Sequence, residues 1–330
     1  MRDGWTARVV ANAAAVDVTP ELCEEVRLAC GELFPTVDVV SLPSGREGTL
    51  RTVEELTRAS DAPPVFVAVG GDGTARDVAE GLARGCGTWP GSEPSGADAS
   101  LFVVPAGSGN SFYYAVWGRR PWQEALRSLA SAEVRGIDMV RLVEQDRGSL
   151  LGANIGFGAL VAEQLKRVGI DDDTRHEAAI GAALEEAELV PVSVAVDGET
   201  VCEGDMWQAT VGGVKAFMRG TFKVLPKSEL DDGLLDACVV VNPSIDDFAE
   251  LSTLMPQGEH LDHHAITYVQ GGRVHIERTD GGLLALEHDG DPQPRARAVD
   301  LEVVPGALRV LAQASASTAG AHATVGSAGG

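Results

Sequence analysis

No apolar run in this chain reaches the roughly 20 residues that a membrane span requires. The N-terminus, with Asp3 and Asp17 beside it, lacks the charged, apolar and small-residue succession of a secretory signal. A soluble, cytoplasmic protein is expected, with membrane contact at most peripheral. Cysteine is sparse: Cys23, Cys30, Cys86, Cys202 and Cys238 are odd in number and nowhere in C-x-x-C spacing. Neither a disulfide framework nor a cysteine-built zinc site is expected, and a reducing compartment fits. Positive charge is also short. Against 49 Asp and Glu stand 26 Lys and Arg, mostly arginine, leaving a formal net charge of −23. Such a field disfavours nucleic acid as a partner and repels anionic lipid head groups, so any membrane contact must be local. The acid excess fits a salt-rich cytosol or a GC-rich genome, and composition does not choose between them.

What is present is enough for two domains with real cores, since 44% of the 330 residues are hydrophobic. The first part alternates short apolar strands (residues 6–11, 37–42, 65–69 and 101–104) with helical stretches (20–34, 50–59, 75–84 and 122–131). That alternation predicts a parallel sheet with helices on both faces. Residues 88–100, rich in Gly, Pro and Ser, read as a surface loop. From residue 137 onward extended segments dominate (192–196, 206–212, 221–224, 237–241, 273–277), so the second half reads as mainly β. Residues 301–311 read as a strand pair. The final stretch, 313–330, is small, polar and featureless, and reads as a disordered tail. The expected domains are 1–136, α/β and phosphate-binding, and 137–299, β-rich.

The most informative stretch is VFVAVGGDGT. Val65, Phe66, Val67, Ala68 and Val69 describe a strand buried on both faces. Gly70, Gly71 and Gly73 permit close approach of backbone to a ligand, and Thr74 is positioned to cap a helix over 75–84. Backbone N–H groups at such a turn point at an anion, and Asp72 is the one side chain there able to accept a proton. An ordinary strand-turn-helix connection with an acidic surface residue has the same pattern. A second loop, Pro105-Ala106-Gly107-Ser108-Gly109-Asn110, follows the next apolar strand. Two such loops at neighbouring strand ends would face one crevice, where open α/β sheets bind ligands. Phosphoryl transfer is the first expectation.

GGDGT followed about thirty residues later by PAGSGN resembles the diacylglycerol kinase catalytic-domain superfamily, which includes bacterial soluble diacylglycerol kinases and the sphingosine and ceramide kinases. Asn154-Ile155-Gly156-Phe157-Gly158 is similar to its N-x-G-x-G element, the run from Leu230 to Asp236 to its D-G-x-L-D element, and Asp289-Gly290-Asp291 to its near-C-terminal D-G-E. The order holds over roughly residues 8–312. The chain departs from the pattern in several places. Of the usual N-P-x-S-G turn after the first strand only Asn12 remains; Arg76 and Asp77 stand where Asn-Glu is common; Ser111 stands where bacterial members carry Asp; and Asp291 is one methylene shorter than the family's Glu.

The resemblance implies an NAD kinase/diacylglycerol kinase-like α/β domain, completed by about residues 300–312, and a sandwich-like β domain that takes the lipid. It implies an ATP-dependent lipid kinase, with Gly70 to Thr74 and Gly107, Ser108, Gly109 and Asn110 cradling ATP and Asn12 and Ser44 as weaker contacts. Asp291 is the implied proton acceptor, with Asp72 competing by local geometry. Clustered carboxylates beside Gly233 suit a hard cation; the match puts Mg²⁺ on Asp232 with carbonyls of Glu229 and Leu234, and Asp138 in its water network. A β-turn of solvated acids fits the same residues. The acceptor, diacylglycerol or a sphingoid base, would be presented at a membrane surface, and a homodimer is open. A soluble-substrate kinase carrying GGDG, such as an NAD or sugar kinase, and a non-catalytic nucleotide- or lipid-binding relative are the alternatives.

Two further clusters carry less. His260, His263 and His264 with Asp262 have metal-like spacing without a further ligand motif nearby. Trp117-Gly118-Arg119-Arg120-Pro121-Trp122 mixes aromatic and basic residues and suits a lipid interface, a phosphate, or simply a packed turn.

Overall fold

The computed structural model describes residues 4–12, 15, 17–60, 62–168 and 174–312; the tail expected over 313–330 lies outside them. The chain runs β1 (Thr6–Ala11), α1 (Pro20–Gly31), β2 (Thr36–Ser41), α2 (Arg46–Arg58), β3 (Pro64–Gly70), α3 (Asp72–Cys86), β4 (Ser100–Pro105), α4 (Ser111–Trp117) and α5 (Trp122–Arg127). There follow β5 (Glu133–Leu142), β6 (Arg147–Ser149), β7 (Gly152–Gly156), α6 (Phe157–Arg167), α7 (Arg175–Glu186), β8 (Val190–Val196), β9 (Glu199–Gly212) and β10 (Leu235–Val241). Last come α8 (Ile245–Leu254), β11 (Ile266–Gly271), β12 (Arg273–Arg278), β13 (Leu284–His288), β14 (Asp291–Ala296) and β15 (Ala298–Ala312).

The first unit is the parallel sheet the alternation predicts, with β2, β1, β3 and β4 side by side. Every residue of β3 is buried, because a strand flanked by two parallel neighbours and covered by helices on both faces meets no water. Local chemistry sets the helix ends. Thr19 caps α1 by accepting from the Leu22 N–H at 3.2 Å, and Gly87, at φ 76°, closes α3 in the left-handed region. α3 begins at Asp72, earlier than the expected residue 75. Gly71, extended at φ −87° and ψ −173°, takes the capping position, which leaves Thr74 buried in the first turn.

The second unit is antiparallel. β9 pairs with β8 along its first half and lies between β7 and β10 along its second, and β13 joins β7 and β14. The two units share one sheet through β15, which pairs with β12, β5 and β4. Residue 136, the expected boundary, therefore falls inside β5. Two extended readings change. Residues 301–311 are part of one long strand, not a pair: Gly306, at φ 60°, marks a register shift between Val304 and Leu308, and both arms stay on β5. Residues 221–224 form no strand, because Met218, Arg219 and Gly220 all have positive φ and fold the chain into a turn closed by the Phe222 N–H on the Phe217 carbonyl at 3.2 Å. The mainly β half also holds α6, α7 and α8, whose apolar residues are mostly alanine and leucine.

Candidate active site

The two glycine turns lie against each other at the ends of β3 and β4. The Ala106 N–H donates to the Gly70 carbonyl at 2.9 Å, and a methyl group at Gly107 would come within 2.5 Å of the Gly71 Cα. Any side chain there would force the loops apart, so the glycines are required by backbone contact. Asp72 ties the pair together. Its two carboxylate oxygens accept from the N–H groups of Ser111 and Phe112, each at 3.0 Å. The carboxylate thus caps α4, whose own capping residue, Asn110, sits at φ 52° and provides no side-chain cap. Burial raises the Asp72 pKa against the lowering effect of these amide donors. Asn110 instead donates from Nδ2 to the Gly107 carbonyl at 2.5 Å. Ser108 is exposed, and its carbonyl accepts from Arg219 Nε at 2.9 Å.

Beside these loops opens a cleft of about 1030 Å³ lined by Arg46, Arg76, Arg147, Lys166, Arg167 and His288, with Asp291 and Glu163 among them. A dense group of cations in a chain of net charge −23 marks the cleft as a place for anions. Asp291 begins β14 at its wall. Arg76 donates to Oδ2 at 2.7 Å and Lys166 to Oδ1 at 3.0 Å. Partial burial pushes the Asp291 pKa up, but Arg76 and then Lys166 outweigh it and hold the carboxyl below its ordinary value. Arg76 is itself 5% exposed. Burial works against its charge, yet Asp77, Asp289 and Asp291 outweigh burial and raise its pKa. Gly73 connects cleft and loops, since a methyl group there would stand 3.9 Å from Arg76 and 4.0 Å from Asp291 Oδ2.

The hairpin that delivers Asp291 turns at Asp289 and Gly290, at φ 48° and 82°. Asp289 accepts from Ser149 Oγ at 2.6 Å and from the Leu151 and Leu150 N–H groups at 2.9 and 3.0 Å. Its oxygens are thereby committed to holding the hairpin on the segment after β6. Glu287 is buried; it accepts from Asn154 Nδ2, and from the Gly290 N–H at 2.7 Å. Burial pushes its pKa to about 7. His288 is 1% exposed with neither ring nitrogen hydrogen-bonded. Burial pulls its pKa down to about 4, so the cleft meets a neutral imidazole.

The acidic turn lies between β9 and β10. Asp231 pairs with Arg135 at 2.5 Å and Glu229 with Lys215 at 2.6 Å. Asp138 accepts from the Gly233 N–H at 2.7 Å and the Gly306 N–H at 2.8 Å, and Asp232 accepts from the Leu234 N–H at 3.0 Å. Burial, with Asp232 and Asp231 adding to it, raises the Asp138 pKa. The donors left for an ion are all oxygen: the Asp232 carboxylate and the carbonyls of Glu229 and Leu234. An all-oxygen set of this kind suits a hard cation.

Asn12 stands at the end of β1 and Ser44 is exposed just before α2; neither lines the cleft. The Trp117 to Trp122 segment is a packed turn: Trp117 meets Phe102 edge-on at 5.7 Å, and Tyr113 donates to the Arg120 carbonyl at 2.7 Å. Arg46, Arg147, Lys166 and His288 escape sequence reading because they come from four separate elements with no common motif.

The family model for the "Diacylglycerol kinase catalytic domain" matches residues 7–142, and that for the "YegS C-terminal NAD kinase beta sandwich-like domain" matches residues 153–312. A Pseudomonas aeruginosa protein described as "Probable lipid kinase YegS-like" is 32% identical over 79% of this chain and 80% of its own length. A "Diacylglycerol kinase" of Bacillus subtilis is 24% identical over 68% of this chain and 70% of its own. The crystal structure of a diacylglycerol kinase from Bacillus anthracis superposes with a TM-score of 0.64 at 17% identity, covering 94% of this chain and 97% of that one, and shares the fold.

Proposed function

Because the chain belongs to the diacylglycerol kinase catalytic-domain family, whose relatives above are described as kinases, we propose that it is an ATP-dependent lipid kinase. It transfers the γ-phosphoryl group to the hydroxyl of a lipid such as diacylglycerol or a sphingoid base, taken from a membrane surface. The observation that carries this reading is the cationic cleft beside the paired glycine loops, with Asp291 in its wall. Phosphoryl transfer needs positioning and charge stabilisation above all, and the loops' backbone amides with Arg46, Arg76, Arg147 and Lys166 offer both.

The lipid hydroxyl attacks the γ-phosphorus, the bond to the β-phosphate oxygen breaks to release ADP, and the hydroxyl proton passes to Asp291. A carboxylate held below its ordinary pKa is a weak base, which suffices where the transition state is loose and the proton moves late. Asp72 is assigned to positioning, since both its oxygens hold α4. Mg²⁺, which supplies positive charge when bound, would be held by Asp232 and the carbonyls of Glu229 and Leu234, on a turn outside the cleft lining.

The test is transfer of label from [γ-³²P]ATP to diacylglycerol or sphingosine in mixed micelles, beside NAD in solution. Label in a lipid is expected. Label in NAD alone would make the protein a soluble-substrate kinase, and nucleotide binding without transfer to any acceptor would make it a binding protein.

A further inference from the structure

Away from the cleft, and sharing no residue with it, the start of α8 faces the loop before β11. The side chains that meet there are Asp247 and Glu250 from the helix and His263 and His264 from the loop. We propose that Asp247, His263 and His264 form a binding site for a divalent transition metal of the zinc class, with Glu250 beside His263.

The geometry is that of a ligand set. Around a tetrahedral ion bound at about 2.0–2.1 Å, neighbouring donor atoms stand roughly 3.3 Å apart. His264 Nε2 is 3.2 Å from Asp247 Oδ2, His263 Nε2 is 3.5 Å from Asp247 Oδ1, and His263 Nε2 is 3.6 Å from Glu250 Oε2. Asp247, His263 and His264 each offer one donor atom within 4.8 Å of the others, the one such trio of His, Cys, Asp or Glu among the described residues.

A second observation points the same way. The His263 side chain is 5% exposed, and its Nε2, aimed between the two carboxylates, is buried without a hydrogen-bond partner. Contacts of 3.5 and 3.6 Å are too long for hydrogen bonds, so the buried nitrogen has charge around it and nothing bound to it. The site is also preorganised. The Ser244 N–H fixes Asp247 through a 2.6 Å bond to Oδ2 in a capping box. The His263 backbone donates to the His260 carbonyl at 3.1 Å and accepts from the Ile266 N–H at 2.9 Å. The two imidazoles stack with centroids 4.5 Å apart.

Donor chemistry selects the class of ion. Two imidazoles with carboxylates suit zinc, cobalt, nickel or copper, whereas magnesium and calcium prefer oxygen alone. One contact opposes loading. His263 Nδ1 accepts from the Ala265 N–H at 3.2 Å, which keeps the ring proton on Nε2; a metal at Nε2 moves that proton to Nδ1 and gives up the long Ala265 contact. His260, the third histidine of the run, is not part of the set: its Nε2 meets the Val224 carbonyl at 3.0 Å. An ion here would clamp α8 to the loop over the small core of Val224, Leu225, Leu251 and Met255.

The experiment is calorimetric titration of chelator-stripped protein with ZnCl₂, and separately with MgCl₂, for the parent, His263→Gln and His264→Gln. His264 is 72% exposed, so its replacement leaves the fold intact even if His263→Gln does not fold. One equivalent of zinc is expected to bind the parent, with magnesium giving no comparable heat. Melting temperature should rise by roughly 4 °C or more at free zinc about a hundredfold above Kd. His264→Gln should weaken zinc by at least the ~10–100-fold that follows loss of even an outer-shell partner. No zinc binding by the parent, equal binding by His264→Gln, or equal affinity for magnesium would each overturn the proposal. None of these readouts depends on the kinase reading.

Discussion

The Arg76 guanidinium lies 2.7 Å from the Asp291 carboxylate, joining positions 215 residues apart. Both are places where the chain departs from its family: Arg76 stands where Asn is common, and Asp291 where the D-G-E element ends in Glu. The ion pair joins the two departures, and a longer acid at position 291 would bring its carboxylate against the guanidinium that now holds Asp291.

That pairing predicts coupling. Asp291→Glu alone drives its carboxylate about an ångström into Arg76, and Arg76→Asn alone releases Asp291 from its clamp; each should lower lipid phosphorylation by about tenfold or more. The double substitution, which restores the family's pair, should recover activity above either single variant. Losses that simply add would show that the two sites act independently.

Asp72 is expected to act through the fold. Asp72→Ala removes the cap of α4 and should destabilise the protein by about 1–2 kcal/mol, read from urea unfolding, and raise KM for ATP as the second glycine loop loosens. Unchanged stability with abolished turnover would instead give the carboxylate a chemical role.

His288 sets an acid limb. Its pKa is near 4 in the folded chain and about 6.5 once unfolded, so between those values the unfolded state binds more protons. Its contribution is therefore complete above pH 6.5 and lost as pH falls toward 4. Glu287, raised to about 7, has the opposite sign: its stability is full below about pH 4.5 and declines as pH rises toward 7. In His288→Gln the His288 contribution is gone while Glu287 and the other shifted carboxyls still titrate, so the difference from the parent isolates the imidazole. The variant should gain about 2–3 kcal/mol on the parent between pH 7 and pH 4.5, measured by urea unfolding at both values. Parallel stability curves would place a protonated imidazole in the folded protein.

The parallel-sheet half was legible because its signals are local. A β-branched run ending in Gly-Gly-Asp-Gly-Thr fixes strand, turn and helix within ten residues, and the repeat of that grammar at PAGSGN placed the two loops together. Thr74 does not cap because the helix starts at Asp72, two residues earlier, with Gly71 in the capping position. The cleft was not legible. Arg46, Arg76, Lys166 and His288 come from α2, α3, α6 and β13, and only the fold brings them to one wall. The histidine run looked bare for the same reason: Asp247 and Glu250, its partners, sit on a helix more than ten residues upstream. The strand pair expected near residue 306 failed because Pro-Gly at a bulge and Pro-Gly at a hairpin read alike.

Transfer of phosphate to lipid in this cleft, with Asp291 as proton acceptor, is what the proposed function requires. The direct measurement is the initial rate of label transfer from [γ-³²P]ATP to the accepted lipid in mixed micelles by the parent and Asp291→Asn, with melting temperature followed in parallel. Asparagine keeps the size of the side chain and cannot take the proton, so a folded variant at least about a hundredfold slower is expected. An Asp291→Asn protein that phosphorylates lipid at close to the parental rate would contradict the proposed function.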